Sequence, residues 1–522
     1  MRACIFLIFL VNLSGLAYAQ PTYFNMRYPQ SSPEPSAAKS ICLKGNNLYF
    51  NETSINSITG LYTQTFSKIS LLTSAKKTLF PLSHDSLDLF GASAISMSNG
   101  GFCDVINIGE LGVSGAPWQP WLVKYNNLGD TTLFKKVLDL TLFLSVLDVK
   151  ETQDSGLIFT GTIQEKTNTQ GGSEDLILAK LDSLGNEQWR KTLGDSIHYE
   201  EGHSVAPTPD GGYIVGGIQS DTARFGVWDS RRPWLIKTNA LGEVEWDKLY
   251  GPQDTFSLPI YGVTPTLDGG YAFVGGIGVE QYTYDAKYLP WIVKVNAFGD
   301  TLWTRTIYGN GPSVYFAKFN DILELTDGSL VACGQQIIPN PDTINFDGPR
   351  RITGVITKFS ANGDLLWSRN YSHPENNLSN SSEHTLNSIV ATPDGGFAAA
   401  GWLFPYPPDT GTQDTWVIKV DSFGCLTPGC EVTSVPKIEG AIAQLKIYPN
   451  PASDVLNIEI TPSAFEHRAH PEEFELKLYD ILGKLVLTKK LFPSTNTIDV
   501  SNLKTGVYSY RIGEVSGFIV VQ

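Results

Sequence analysis

Asp210-Gly-Gly-Tyr213, followed by Trp234-Leu-Ile-Lys237-Thr-Asn-Ala-Leu-Gly242-Glu-Val-Glu-Trp246, is the stretch whose reading decides the fold. Asp-Gly pairs supply the positive φ that tight hairpin turns require, so each half reads as a turn between two short strands. The first pattern returns as Asn99-Gly-Gly-Phe102, Asp154-Ser-Gly-Leu157, Asp268-Gly-Gly-Tyr271, Asp327-Gly-Ser-Leu330 and Asp394-Gly-Gly-Phe397. In chain order, the leading residues of the six copies lie 55, 56, 58, 59 and 67 apart. The second returns as Trp291-Ile-Val-Lys294-Val-Asn-Ala-Phe-Gly299-Asp-Thr-Leu-Trp303. Related copies carry Lys124, Gly129 and Leu133; Lys180, Gly185 and Trp189; Lys358, Gly363 and Trp367; and Lys419 with Gly424, where the copy stops. A unit of about 57 residues with four strands and short turns is the signature of a propeller blade. In the unit from Gly202 to Gly251 the strands are expected near 204–208, 212–218, 233–239 and 243–250.

Six turn copies and one degenerate unit over residues 40–82 give seven blades, with six or eight as the alternatives. The last unit, about 375–424, lacks its fourth strand, so a segment near the N-terminus is expected to complete it and close the ring. Composition agrees with an all-β chain: 522 residues hold 49 Gly and 30 Pro, with only 17% charged. Much of the glycine falls in the repeated turns. A formal net charge of -15 sets the chain against nucleic acid through plain repulsion. Arg2, the apolar run 5–16 and Ala17-Tyr18-Ala19 read as a secretory signal, which places residues 1–19 outside the mature fold and 20–39 as an N-terminal segment. No later run approaches the ~18 apolar residues of a membrane span.

The repeat K-x-[ND]-x-x-G-x-x-x-W resembles the tryptophan-docking motif of pyrroloquinoline-quinone-type propellers, in which a tryptophan ending each blade packs on the next. Trp189, Trp246, Trp303 and Trp367 keep it and Leu133 departs from it. The resemblance implies blade architecture and no cofactor, since nothing in the chain matches the quinone or calcium ligands. The recurring Lys and Asp are read as structural.

The turn assignment puts both short turns of every blade on one face of the disc and the longer connections on the other. The connections near 219–232, 278–288, 335–351 and 402–413 carry Trp228, Arg231, Arg232, Tyr282, Tyr284, Tyr288, Arg350 and Arg351, aromatics beside charge that suit a glycan or protein ligand. The alternative is that these aromatics pack on one another.

Beyond residue 425 a polar linker, 426–441, leads into residues 442–522, where the blade repeat ends. Alternation at 455–460 and 474–479 marks half-buried strands, and a unit this small points to an Ig-like β-sandwich. Leu445-Lys-Ile-Tyr448-Pro449-Asn450-Pro451-Ala452, Leu478-Tyr-Asp-Ile-Leu-Gly483-Lys484 and Leu503-Lys-Thr-Gly506-Val-Tyr508, with an apolar terminal strand, resemble the type A C-terminal sorting domain of Bacteroidota type IX secretion substrates. That resemblance implies export through the periplasm, passage through the type IX machinery, removal of the domain, and attachment to the outer surface or release. Cys425 and Cys430 flank a turn-like Leu-Thr-Pro-Gly and are expected to form a local disulfide. His467 and His470 with Glu466, Glu472 and Glu473 are read as a charged loop, and no metal site is assigned.

No H-E-x-x-H, G-x-S-x-G, phosphate loop or dinucleotide fingerprint occurs, so no catalytic residue or cofactor is assigned. Two functions stand: a non-catalytic surface module that binds glycan or protein, and a secreted glycan-active or other hydrolytic enzyme with carboxylates in the propeller funnel.

Overall fold

A computed structural model describes residues 23–28, 35–55, 62–83, 87–110, 118–138, 143–164, 174–195, 198–220, 231–252, 257–278, 288–307, 317–338, 351–373, 383–404, 413–427, 430, 445–448, 452–460, 474–480, 485–491, 495–512 and 515–521. The signal segment, most of the linker, the insert with His467 and His470, and most of the long connections lie outside them. The chain divides into two units that part near residue 426.

The first unit is a seven-bladed propeller in which every blade is a four-stranded antiparallel sheet. Blades I to VI span residues 36–83, 87–136, 143–193, 200–249, 262–306 and 318–371. Blade VII uses residues 383–420 for its three inner strands, and its outer strand is Phe24–Tyr28, which pairs antiparallel with Asp414–Val420. The ring is therefore closed by the N-terminal strand, as the missing fourth strand of the last unit required. Two pieces of propeller, Phe24–Tyr28 and the start of Ser36–Lys44, precede residue 40.

The turns explain the repeated sequence. In blade IV, Thr208 N–H donates to the Gly212 carbonyl, Asp210 Oδ1 accepts from the Gly212 amide at 3.0 Å, and Gly211 takes φ +85°. Gly212 is required for another reason: a β-carbon there would stand 2.1 Å from the Thr238 carbonyl of the third strand. The lysine of the third strand then reaches back to the turn aspartate. Lys180–Asp154, Lys237–Asp210 and Lys294–Asp268 pair at 2.8, 2.8 and 2.7 Å, and Lys419 pairs with Asp394. These lysines are buried. A buried cation is tolerated only when paired, so the recurring Lys and Asp form one structural unit.

Each outer-strand tryptophan docks on the following blade. The Trp246 ring lies over Gly299 of blade V, Nε1 donates to the Ala297 carbonyl at 3.1 Å, and a β-carbon on Gly299 would meet the ring at 2.8 Å. Trp303 repeats the arrangement on Gly363 and the Ala361 carbonyl, and Trp367 packs against Gly424.

The inner strands carry a device that the sequence pattern conceals. In six of them one residue is skipped by the ladder: Lys39, Ala92, Leu147, His203, Asn320 and Asn387. Tyr261 occupies the corresponding place just before Gly262–Pro265 in blade V. Such β-bulges re-aim side chains. The residue after the bulge stitches neighbouring blades: Ala94 N–H donates to Ser40 Oγ, Val205 N–H to Asp148 Oδ2, Val263 N–H to Ser204 Oγ, and Ile389 N–H to Asp321 Oδ2. Asn320 and Asn387 themselves donate across to the Leu386 and Ala38 carbonyls.

The second unit packs a three-stranded sheet (Leu445–Tyr448, Val455–Ile460, Thr495–Asp499) and a four-stranded sheet (Phe474–Tyr479, Leu485–Leu491, Gly506–Ile512, Val515–Val521) around one core. Leu456, Ile458 and Ile498 from the first meet Leu476, Leu478, Ile512 and Ile519 from the second. This is a small two-sheet sandwich.

Candidate functional site at the channel mouth

First and third strands of a blade run in the same direction, so their starting ends share one face of the disc. Around the channel at that face the structure gathers residues from several blades. Blade IV contributes Tyr199, which precedes its inner strand, together with Glu201 and His203 from Glu200–Pro207, and Arg231 from Arg231–Thr238. Blade V contributes Tyr261, blade VI Lys318, and blade I the bulge residue Lys39.

These groups are linked in series. The Arg231 guanidinium lies 4.3 Å from the Tyr199 ring centroid. The Tyr199 hydroxyl donates to Glu201 Oε1, and Glu201 Oε2 holds His203 Nε2 at 2.6 Å. The His203 ring meets Tyr261 edge-on at 5.2 Å, and Lys318 Nζ stands 3.9 Å from the centroid of the same tyrosine ring, within cation–π range. Glu174, at the start of Glu174–Leu181, interacts with the same Tyr199 hydroxyl and with the Glu201 and Arg231 charges.

Electrostatics separates the two ends of this series. At the blade IV end charges are compensated. Burial raises Glu201, but the hydrogen bonds from His203 and Tyr199 and the His203 and Arg231 charges together outweigh it and hold the carboxyl below its ordinary range. At the other end Lys318 has no carboxylate partner among the described residues: its contact is the Tyr261 ring, and burial followed by the nearby Lys39 charge pushes its amino group down to about 8. Burial also lowers Lys39. The two ammonium groups are close enough for the charge of one to lower the other.

A second concavity of about 410 Å³ opens between the turns of blades IV and V, lined by Asp210, Lys237, Glu245, Trp246, Tyr271 and Phe298 among others. Its lysine is already paired with Asp210 and with Glu245 at 2.9 Å. Its lysine is spent on the blade and Trp246 on docking, so the channel mouth is the stronger candidate.

The loop-face residues expected from sequence divide as follows. Trp228, Tyr282, Tyr284 and Arg350 lie outside the described residues, as does the Arg351 side chain. Arg231 belongs to the channel-mouth series. Arg232 donates to the Leu249 carbonyl at 3.2 Å, an anchor to its own blade. Tyr288, expected exposed on a connection, is instead the first residue of Tyr288–Val295 and is 5% exposed, because the strand begins there and covers it. Sequence reading missed Tyr199, Glu201, His203, Tyr261, Lys318 and Lys39. Cys425 and Cys430 are both disulfide-bonded, whereas Cys42, Cys103 and Cys333 are free buried thiols.

In the second unit Tyr448 is exposed, and Gly506 opens the strand that carries Tyr508, whose ring is buried and whose hydroxyl donates to the Lys504 carbonyl at 2.7 Å. Pro449, Asn450, Pro451, Gly483 and Lys484 lie outside the described residues. Residues 446–522 match the family described as "Secretion system C-terminal sorting domain". The C-terminal unit is a type IX sorting domain. The sorting domain directs the chain to the type IX secretion machinery and so to the cell surface or beyond, and among the described residues no helix is long and apolar enough to cross a membrane.

No curated protein matches the chain. Solved structures that resemble it include a polysaccharide lyase, "PL25-Ulvanlyase" (TM-score 0.46, 9% identity, covering 76% of this chain and 95% of that one). The propeller domain of the trilobed protease from Pyrococcus furiosus gives TM-score 0.40 at 9% identity, covering 75% and 96%. An acylaminoacyl peptidase from Pyrococcus horikoshii gives 0.41 at 11%, covering 84% of this chain and 59% of the peptidase, so this chain spans under two thirds of that protein. The activities of these proteins are not carried over to this chain.

Proposed function

We propose that the exported propeller is a surface binding module whose channel mouth takes an anionic glycan segment, a uronate or sulfated sugar. The observation that carries this reading is Lys318, a cation facing an aromatic ring with no carboxylate partner among the described residues, beside a second lysine. The Tyr261 and Tyr199 rings offer faces for sugar stacking, and Arg231 and Lys39 add charge around them. A charge-assisted hydrogen bond contributes about 1.5–3 kcal/mol, so Lys318→Met is expected to weaken binding of a sulfated or uronate oligosaccharide by roughly 10- to 150-fold, as read by calorimetry on the full chain. Equal binding of anionic and neutral glycans, or an unchanged affinity in the variant, refutes the reading.

A second reading is favoured by one specific arrangement. Glu174 and Glu201 converge on Tyr199, and Glu201 orients His203 toward Tyr261, a set able to move a proton. If the site turns its ligand over, the bound oligosaccharide shortens on incubation and a His203→Ala variant leaves it intact.

A further inference from the structure

The seam between blades III and IV holds a second cluster, independent of the channel-mouth ligand. Asp195, His198 and Glu200 each bring one ligand-type atom to a point where all lie within 4.8 Å of one another. A cluster of this kind on a surface is ordinary, but Glu200 is not a surface residue. It is fully buried, its Oε1 accepts from Gln219 Nε2 at 3.0 Å, and its Oε2 has no hydrogen-bond partner among the described residues. A buried carboxylate oxygen without a partner is costly.

Two further carboxylates, Asp195 and Asp175, stand near Glu200. The backbone leaves room in front of this oxygen: residue 194 is a glycine at φ +137°, and a β-carbon there would stand 2.9 Å from Glu200 Oε2 and 3.3 Å from Asp175 Oδ1. His198 is already oriented in the way a metal-ligating imidazole usually is, with one ring nitrogen held by a carboxylate: Nδ1 pairs with Asp195 Oδ2 at 2.8 Å, which leaves Nε2 as the ligating atom. A carboxylate offers about four acceptor positions, so Asp195 can keep its bonds to His198 and still ligate.

We propose that Asp195, His198 and Glu200 form a binding site for one divalent transition-metal cation of the Zn2+ or Mn2+ class, which clamps blade IV to blade III. Imidazole in a carboxylate set selects this class over Ca2+, which prefers oxygen alone. Ligand atoms around a tetrahedral Zn2+ lie about 3.4 Å apart, given metal–ligand distances of about 2.0–2.2 Å, so groups whose ligand-type atoms lie within 4.8 Å of one another must close up on the ion.

The test uses the full chain, stripped with a chelator, dialysed, and titrated by calorimetry with ZnCl2, MnCl2 and CaCl2. The expected result is a Zn2+ or Mn2+ site of one ion per chain, tighter than any for Ca2+. Removing an outer-shell partner costs about 10- to 100-fold in metal affinity, and loss of a ligand is expected to cost at least about 100-fold. Glu200→Gln should show that loss. His198→Ala, a change at a partly exposed side chain that leaves the core intact, should show it too if the first variant fails to fold. The unfolding midpoint of the wild type should rise with Zn2+ and that of His198→Ala should not. Absence of stoichiometric Zn2+ or Mn2+ binding, binding indifferent to both substitutions, or tighter binding of Ca2+ than of Zn2+ overturns the site.

Discussion

If a tryptophan on each blade is docked on the turn of the next, Trp246 and Gly299 must be energetically coupled, and a double-mutant cycle measures the coupling. Truncating a buried Trp or Phe to Ala costs about 3–5 kcal/mol; Trp246 is only half-buried, so the lower end applies, and the lost bond to the Ala297 carbonyl is included in that figure. Gly299→Ala carries two penalties. Its φ of +78° strains any L side chain by about 1–2 kcal/mol, and the new β-carbon, 2.8 Å from the indole, drives the ring off its seat, forfeiting most of the same ~3 kcal/mol. In a Trp246→Ala background only the backbone strain remains. The double variant should therefore be more stable than the sum of the single losses by about 2–3 kcal/mol. Urea denaturation followed by far-UV circular dichroism is the assay, with variants compared at constant slope because a two-unit chain need not unfold in one step. Additivity within about 0.5 kcal/mol would mean that the ring and the turn do not meet, and the docking account would fail.

Three other outcomes follow from the same geometry. Ser155 stands at φ +61° where the other turns place glycine, so Ser155→Gly should raise the denaturation midpoint by the equivalent of about 0.5–1 kcal/mol; a fall would show that the serine makes a compensating contact. Burial alone would raise Asp210, but hydrogen bonds from Lys237 and Thr208 hold it at about 2, below its ordinary 3.8. Because the folded value is the lower one, the turn's contribution is present above pH 3.8 and is lost as the pH falls toward 2. A Lys237→Met chain should lose that acid-side dependence, and an unchanged acid profile would contradict the pairing. Deleting residues 446–522, the sorting match, should leave the protein in the periplasm by cell fractionation, and undiminished surface delivery would refute the sorting role.

The fold was readable because the blade is specified locally. Asp210-Gly-Gly, the lysine at 237 and the tryptophan at 246 each report a turn, an ion pair or a docking contact made within one repeat or with the next, so spacing alone recovers seven sheets and the vacancy that Phe24–Tyr28 fills. The site was not readable by the same means. Lys39, His203, Tyr261 and Lys318 come from four blades and 280 residues of chain, and what aims the first three is the bulge position of the inner strand, an irregularity of register with no residue signature. The sequence pointed to aromatics and arginines on the longer connections, most of which lie outside the described residues; of those it named, Arg231 is the one that lies beside the Tyr199 ring. The seam cluster was more accessible: Asp195, His198 and Glu200 fall within six residues, but only the burial of Glu200 separates them from a charged loop.

The central claim is that Lys318 is a cation awaiting an anion. Reductive 13C-methylation of the lysines, with Lys318→Arg to assign the resonance, allows its titration to be followed by NMR with and without a sulfated oligosaccharide. The account predicts an apo midpoint near 8, set by burial and Lys39, that moves up by at least about one unit, equivalent to about 1.4 kcal/mol of added interaction, when the ligand binds. A midpoint at the ordinary 10.5 in the apo protein, or one near 8 that the anionic ligand leaves in place, would contradict it.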